Sequence, residues 1–189
     1  ESGYLRKLPL VFERVTEVAS IVKECVTISK DEWDSFESSW DFQVHPFIAS
    51  AREMSRKGVA VTIKQFFGDW QGIAERRFRQ LKVNEEKLNR IFIEIYGLCD
   101  ELTPEVEDRE ITARRADLQR DARSFISYAV GCMFGRYSLD VPGLVYAGGE
   151  WDASKYTTFQ PDKDAIIPIC DDEYFADDIV GRFVKFVEV

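Results

Sequence analysis

The chain has a single histidine, His45, among 189 residues. A zinc site built on imidazoles needs more than one. The lone imidazole also leaves little basis for a Ser-His-Asp or Cys-His catalytic pair. The four cysteines, Cys25, Cys99, Cys132 and Cys170, are widely scattered, with no C-x-x-C pair among them. That spacing argues for reduced thiols in a cytoplasmic protein rather than a disulfide framework or a metal knuckle. No apolar run approaches the roughly 20 residues of a membrane span. The opening ESGYLRKLPL lacks the apolar core of a signal peptide. The phosphate-cradling pattern G-x-x-x-x-G-K-[ST] does not occur, nor does any internal repeat or low-complexity tract.

What is present suits a folded chain. Apolar residues make up 45%, aromatics 13% and charged residues 31%. That composition supplies a core and is unlike a disordered segment. The formal net charge of -9 is unevenly spread. Residues 1–99 carry 15 basic and 15 acidic side chains, and residues 100–189 carry 10 and 19, a difference of -9. Phosphate contacts supply most non-specific affinity for nucleic acid. Contact with DNA therefore requires a local basic face or the help of parts not present in this chain.

Apolar spacing predicts mainly helix. Val11, Val15, Val18, Val22 and Cys25 alternate at four and three residues, the seam of an amphipathic helix. Ser29 is placed to cap a second helix carrying Trp33, Phe36 and Trp40 on one face. DFQVHPFI reads as an extended connector, because His45 precedes Pro46. Residues 49–63 read as helix with a break near Gly58. A long helix follows over 72–96, with the seam Ala74, Phe78, Leu81, Glu85, Leu88, Phe92, Ile95 and a terminating Gly97. It is expected to pair antiparallel with the Val11–Cys25 helix. Asp100–Glu110 reads as an acidic loop. The next helix is placed over 113–134, with Leu118, Ala122, Phe125, Ala129, Cys132 and Met133 inward. After Tyr137 the texture changes, with loop glycines, prolines and short β-like runs at 144–147 and 165–169. A last helix is placed over 177–187. The expected architecture is a helical domain over 1–140, a hairpin or bundle of long amphipathic helices. A small α+β segment with short strands follows over 141–189.

Few residues offer chemistry. Gly131 and Gly135 bracket an apolar stretch and read as close helix packing. Glu85, Glu86 and Lys87 contain half of a nuclease metal pattern without its strand-borne Pro-Asp. Asp171, Asp172, Glu173, Asp177 and Asp178 lack the loop spacing of a calcium motif and read as a solvated acidic edge. Two basic clusters remain. Arg76, Arg77 and Arg79 share a turn of the long helix, and Arg114, Arg115, Arg120 and Arg123 are placed on the next helix, over 113–134. Either set has the charge to track phosphates, and Glu75, Asp117 and Asp121 stand close enough in sequence to neutralise part of it.

Four segments carry a resemblance. They are DEWDSFESSWDFQVHPFI (31–48), NEEKLNRIFIEIYGLCDELTPEVEDREIT (84–112), SFISYAVGCMFGRYSLDVPGLVYAGGEWD (124–152) and PDKDAIIPICDDEYFADDIVGRFVKF (161–186). Together they resemble the PglX family of adenine-specific DNA methyltransferases from BREX phage-defence systems. The similarity covers the helical spacer and the start of the target-recognition region. Such an enzyme needs a Gly-rich loop for S-adenosylmethionine and an (Asn/Asp)-Pro-Pro-(Tyr/Phe) loop for the flipped adenine. Neither pattern occurs here, so no catalytic, cofactor or metal residue is assigned to this chain. The resemblance implies S-adenosylmethionine and double-stranded DNA as ligands of the intact protein. Other defence proteins are a second class of partner, and no membrane is implied.

Overall fold

The computed structural model describes residues 10–56, 62–172, 174–175 and 177–189. Leu8, Pro9, the helix break expected near Gly58, and Glu173 lie outside them. Five α-helices form: α1 (Val15–Trp33), α2 (Pro46–Arg56), α3 (Ile63–Tyr96), α4 (Leu118–Met133) and α5 (Ile179–Glu188), with short 3-10 turns at Asp108–Glu110 and Ala153–Lys155. The chain divides into two compact units. One comprises Glu1–Glu32 with Ile73–Arg115, the other Trp33–Gly72 with Ala116–Val189. Position 140, where the sequence changes texture, lies inside the second unit.

In the first unit, α1 and the later part of α3 run antiparallel. Arg14 pairs with Glu94 at 2.8 Å and Lys87 with Glu17 at 3.2 Å. Further along α1, Cys25 and Ile28 pack on Phe78 and Leu81 of α3. Rising numbers on one helix thus meet falling numbers on the other. The pairing is the expected one, but α2 and a turn region intervene in sequence. The seam on α3 differs after Leu81. Asn84 and Ile91 are buried, whereas Phe92 is 42% exposed. The inward positions 81, 84, 88, 91 and 95 keep alternating three- and four-residue steps. The sequence seam had followed the bulk of Phe92 instead. Gln80, one turn earlier, donates to the Oδ1 of Asn84 at 2.9 Å, which offsets part of the cost of burying this side chain, while its Nδ2 has no hydrogen-bond partner among the described residues.

Helix α3 has 34 residues, nine more at its start than expected. The reason is a capping box. Gln65 N–H donates to Thr62 Oγ1 at 3.4 Å, while Gln65 Oε1 accepts from Thr62 N–H at 2.8 Å. Gly68 and Gly72 then sit inside the helix. Gly97, at φ +67°, closes it. Leu98 N–H reaches Ile93 O at 2.9 Å, and Gly97 N–H reaches Glu94 O at 3.1 Å, the Schellman pattern. The segment after Gly97 folds back, placing Val106, Ile111 and Ala113 in the core with Phe78 and Leu81.

The second unit is aromatic. Phe42, His45, Phe47, Phe125, Tyr128, Tyr137 and Phe186 are all buried. Tyr128 stacks on Tyr137 with centroids 5.3 Å apart, and Phe42 meets both edge-on. Offset and edge-to-face pairs of this kind add to simple burial. The helix expected after Ser29 does not form. Ser29 lies inside α1, and beyond Trp33 the Ser39 hydroxyl donates to Asp34 at 2.6 Å and accepts from Asp41 N–H at 3.1 Å. Side chains that bond the local backbone in this way compete with helix. Trp40 ends fully exposed. The extended connector stops at His45. Proline is favoured at the first helical position, and α2 begins at Pro46.

The region 141–189 contains no strand among the described residues, so the expected short strands are not there. At 144–147, Val145 and Tyr146 both turn their N–H groups to Arg136 O, leaving no ladder. At 165–169, Ala165 is left-handed at φ 57°, and Ile166 N–H is taken by the carboxylates of Asp162 and Asp164. Both runs have the residue preferences of strands without a partner edge. The region holds together through side chains. Asp140 accepts from Thr157 N–H at 2.7 Å and Thr158 N–H at 2.9 Å. Asp178 caps α5 by accepting from Gly181 N–H at 2.7 Å.

Candidate functional site

The seven arginines singled out as phosphate contacts fall into unlike surroundings. Arg114 and Arg115 are not helical, because α4 starts only at Leu118. Asp117 is its N-cap, accepting from Arg120 N–H at 2.7 Å. An aspartate just before an apolar run is the usual start signal. Arg114 and Arg115 therefore lie on the segment leading into the helix.

In the first unit most of these charges are neutralised. Arg79 Nε donates to Glu75 Oε1 at 2.6 Å, and Arg115 Nε donates to Glu75 Oε2 at 3.1 Å. Arg115 Nη1 also donates to Asp108 Oδ2 at 2.9 Å, and Lys82 Nζ to Asp108 Oδ1 at 2.7 Å. The result is an alternating chain of charge: Arg79, Glu75, Arg115, Asp108, Lys82. The Arg79 hydrogen bond, and then that of Arg115, hold the Glu75 carboxyl below its ordinary range. Lys82, and then Arg115, do the same for Asp108. The Arg115 guanidinium also lies 3.7 Å from the centre of the Phe78 ring, a cation–π contact that joins the network to the core. Arg114 donates to the buried Glu32 at 2.7 Å.

Arg76 and Arg77 differ from these. Both line a shallow groove of about 500 Å³ with Arg79 and Gln80, floored by Ile28 and Val83 and faced by Glu24. Arg76 is exposed and makes no ion pair among the described residues. Arg77 is half-buried beside Asp31 and Glu32. Desolvation is the main influence lowering its pKa, and the like charge of Arg76 pushes the same way.

The other two arginines belong to the second unit. Arg120 donates to the buried Asp121 at 2.7 Å, which also accepts from the Trp70 indole N–H at 2.8 Å and from Asp117 N–H at 2.9 Å. Arg123 is exposed on α4. Sequence spacing found the arginines but not Asp108, which lies 26 residues from Lys82, nor the alignment of Glu75 with Arg115.

The remaining candidates are structural. Gly131 faces an aromatic ring and not another helix: a Cβ there would stand 2.5 Å from Tyr137 Cδ2. Gly135, at φ +73°, would meet Trp151 at 2.7 Å. Burial lowers the His45 pKa to about 3. Its Nδ1 accepts the Phe47 N–H at 3.2 Å, the role of an N-terminal helix cap. No group of three His, Cys, Asp or Glu side chains among the described residues is placed to hold a metal. All four cysteines are free. A Gly-rich cofactor loop joins a strand to a helix, and the described residues contain no strand. No helix among them is long and apolar enough to cross a membrane.

No family model matches the chain. Curated relatives do. The chain is 48% identical over 187 residues to Adenine-specific methyltransferase PglX of Lacticaseibacillus casei (strain Zhang), covering 98% of the chain and 15% of the relative. It is 31% identical over 211 residues to Adenine-specific methyltransferase BrxX of Escherichia coli O9:H4 (strain HS), covering 98% of the chain and 16% of the relative. The chain thus falls within the sequences of adenine-specific methyltransferases. More narrowly, it matches PglX-type enzymes as a segment, spanning 15% of the length of the first of these relatives and 16% of the second.

Proposed function

We propose that this chain is a non-catalytic part of a site-specific adenine DNA methyltransferase used in bacterial phage defence of the BREX kind. The reading assigns residues 1–140 to a helical spacer and residues 141–189 to the opening of a target-recognition region. The observation that carries it is the 48% identity over nearly the whole chain, in a sequence holding neither a cofactor loop nor a base-gripping loop. In the intact cytoplasmic protein, S-adenosylmethionine would supply the methyl group and double-stranded DNA the adenine. The task of this chain is positional. Displacement of reacting groups by about 1 Å can cost on the order of 100-fold in rate. A spacer therefore acts on catalysis through geometry alone.

Replacing Phe78 or Leu81 by alanine in an intact PglX-type enzyme tests this reading. The expected result is reduced adenine methylation with unchanged affinity for S-adenosylmethionine. Normal methylation by a variant whose first unit is shown to be loosened would reject the positional role. A second reading, a module that docks other defence-system proteins, is favoured by the acidic surplus of residues 100–189.

A further inference from the structure

We infer that the groove between α1 and α3 in the first unit is an oxyanion-binding groove that takes a phosphodiester of a duplex DNA backbone, with Arg76 as its principal contact. The inference rests on the DNA reading above and narrows it from seven arginines to one groove. Arg76, Arg77, Arg79 and Gln80 line the groove, and Glu24 is the only carboxylate among the described residues that line it. Arg79 and Gln80 are engaged with Glu75 and Asn84, which leaves Arg76 as the lining cation with no ion pair among the described residues.

The state of each arginine decides which one has capacity. Arg79 and Arg115 already share Glu75, and Arg115 also holds Asp108. Arg114 is committed to Glu32 at 2.7 Å. Recruiting any of these to a phosphate would break an existing pair. Arg76 has no ion pair to break among the described residues. Its charge stands beside that of Arg77, whose guanidinium is partly desolvated. Asp31 and Glu32 already offset part of the cost of burying the Arg77 charge, so an anion in the groove rests mainly on Arg76. The guanidinium fork matches phosphate oxygens in geometry as well as charge. The floor of Ile28 and Val83 offers apolar contact to the sugar side of a backbone.

The test uses the 189-residue chain and a fluorescently labelled duplex, with binding measured by anisotropy across a salt series. Each phosphate neutralised contributes roughly 0.9 to the slope of log K against log salt. The expected result is that Arg76→Ala lowers affinity roughly tenfold at low salt and makes the slope shallower by about 1. Arg79→Ala should leave the slope nearly unchanged. Arg76 is exposed, so thermal unfolding of Arg76→Ala should match that of the unsubstituted chain. Salt-dependent binding with equal slopes for Arg76→Ala and the unsubstituted chain would overturn the groove while leaving the DNA reading intact. No salt-dependent binding by the unsubstituted chain would overturn the groove, and the positional reading would still be decided by methylation in the intact enzyme. Displacement of the duplex by poly-glutamate at equal charge concentration would reassign the groove to an acidic polypeptide.

Discussion

The two units of this chain reach stability by different means. The first holds 14 basic and 16 acidic side chains and is nearly balanced, while the second holds 11 and 18. The first unit has a small core of Phe78, Leu81, Val106, Ile111 and Ala113, bordered by the Arg79–Glu75–Arg115–Asp108–Lys82 chain. The second has a dense aromatic core from Phe42 to Phe186 and buried, hydrogen-bonded carboxylates at Asp121 and Asp178. Exposed pairs contribute little each and are screened by salt, whereas buried aromatics lose several kcal/mol on truncation. The contrast teaches where each unit is vulnerable. Salt and strong acid act on the first, cavities and overpacking on the second.

The comparison is broken most forcefully at Phe125, which contacts His45, Phe47, Phe183 and Phe186. Phe125→Ala is expected to cost about 3–5 kcal/mol in urea unfolding. A loss below about 1 kcal/mol would show that the aromatic core is not the second unit's main support. Next is Asp121→Ala, which removes the buried acceptor shared by the Trp70 indole, the Asp117 N–H and the Arg120 guanidinium. The expected loss is about 3 kcal/mol, seen as a fall in Tm on the order of 10 °C. Gly131→Ala follows. The added methyl must displace the Tyr137 ring, costing about 1–3 kcal/mol against about 1 kcal/mol gained in helix propensity. A net stabilisation would mean that Tyr137 yields freely.

The pH response sharpens the same contrast. His45 is neutral in the fold and titrates near 6.5 when unfolded, with a folded pKa lowered to about 3. The unfolded chain therefore binds a proton that the folded chain refuses. Stability from His45 is fully present above pH 6.5 and is lost progressively as pH falls towards 3. The carboxylates Glu75 and Asp108 are depressed by their cationic partners. Their contribution is present above the ordinary carboxylate range and is lost only below it. Unfolding free energy should thus decline from pH 6.5 to 5, and His45→Asn should flatten that decline while lowering stability overall. An unchanged slope would remove His45 from the account. The smallest effect is expected at Asp108→Asn, a slight loss of stability that disappears in 1 M salt.

Much of the helical content was legible from apolar spacing, because long amphipathic faces repeat at a fixed period. The antiparallel pairing of α1 with α3, the Gly97 stop, and the inward Phe125, Ala129, Cys132 and Met133 follow from it, whereas Val15, Val22 and Leu118 of the expected inward faces are exposed and Ile21 is buried instead. The errors came where side chains bond the backbone locally. Thr62 and Gln65 start α3 early, Asp117 starts α4 late, and Ser39 with Asp34 prevents a helix through Trp40. The strands expected at 144–147 and 165–169 had suitable residues but no edge to pair with, a condition that a single segment cannot reveal. At the candidate site, the arginines were visible but their neutralisation was not. Ion pairs such as Lys82 with Asp108 depend on the return of a loop across α3. The distinction between Arg76 and Arg79 emerges only from that three-dimensional arrangement.

The central proposal is that this chain positions a methyl-transferring site without containing one. Incubating the chain with isotopically labelled S-adenosylmethionine and duplex DNA measures this directly. The account predicts no retained cofactor in equilibrium dialysis and no label in adenine. Saturable cofactor binding, or label transferred to adenine by the chain alone, would contradict it.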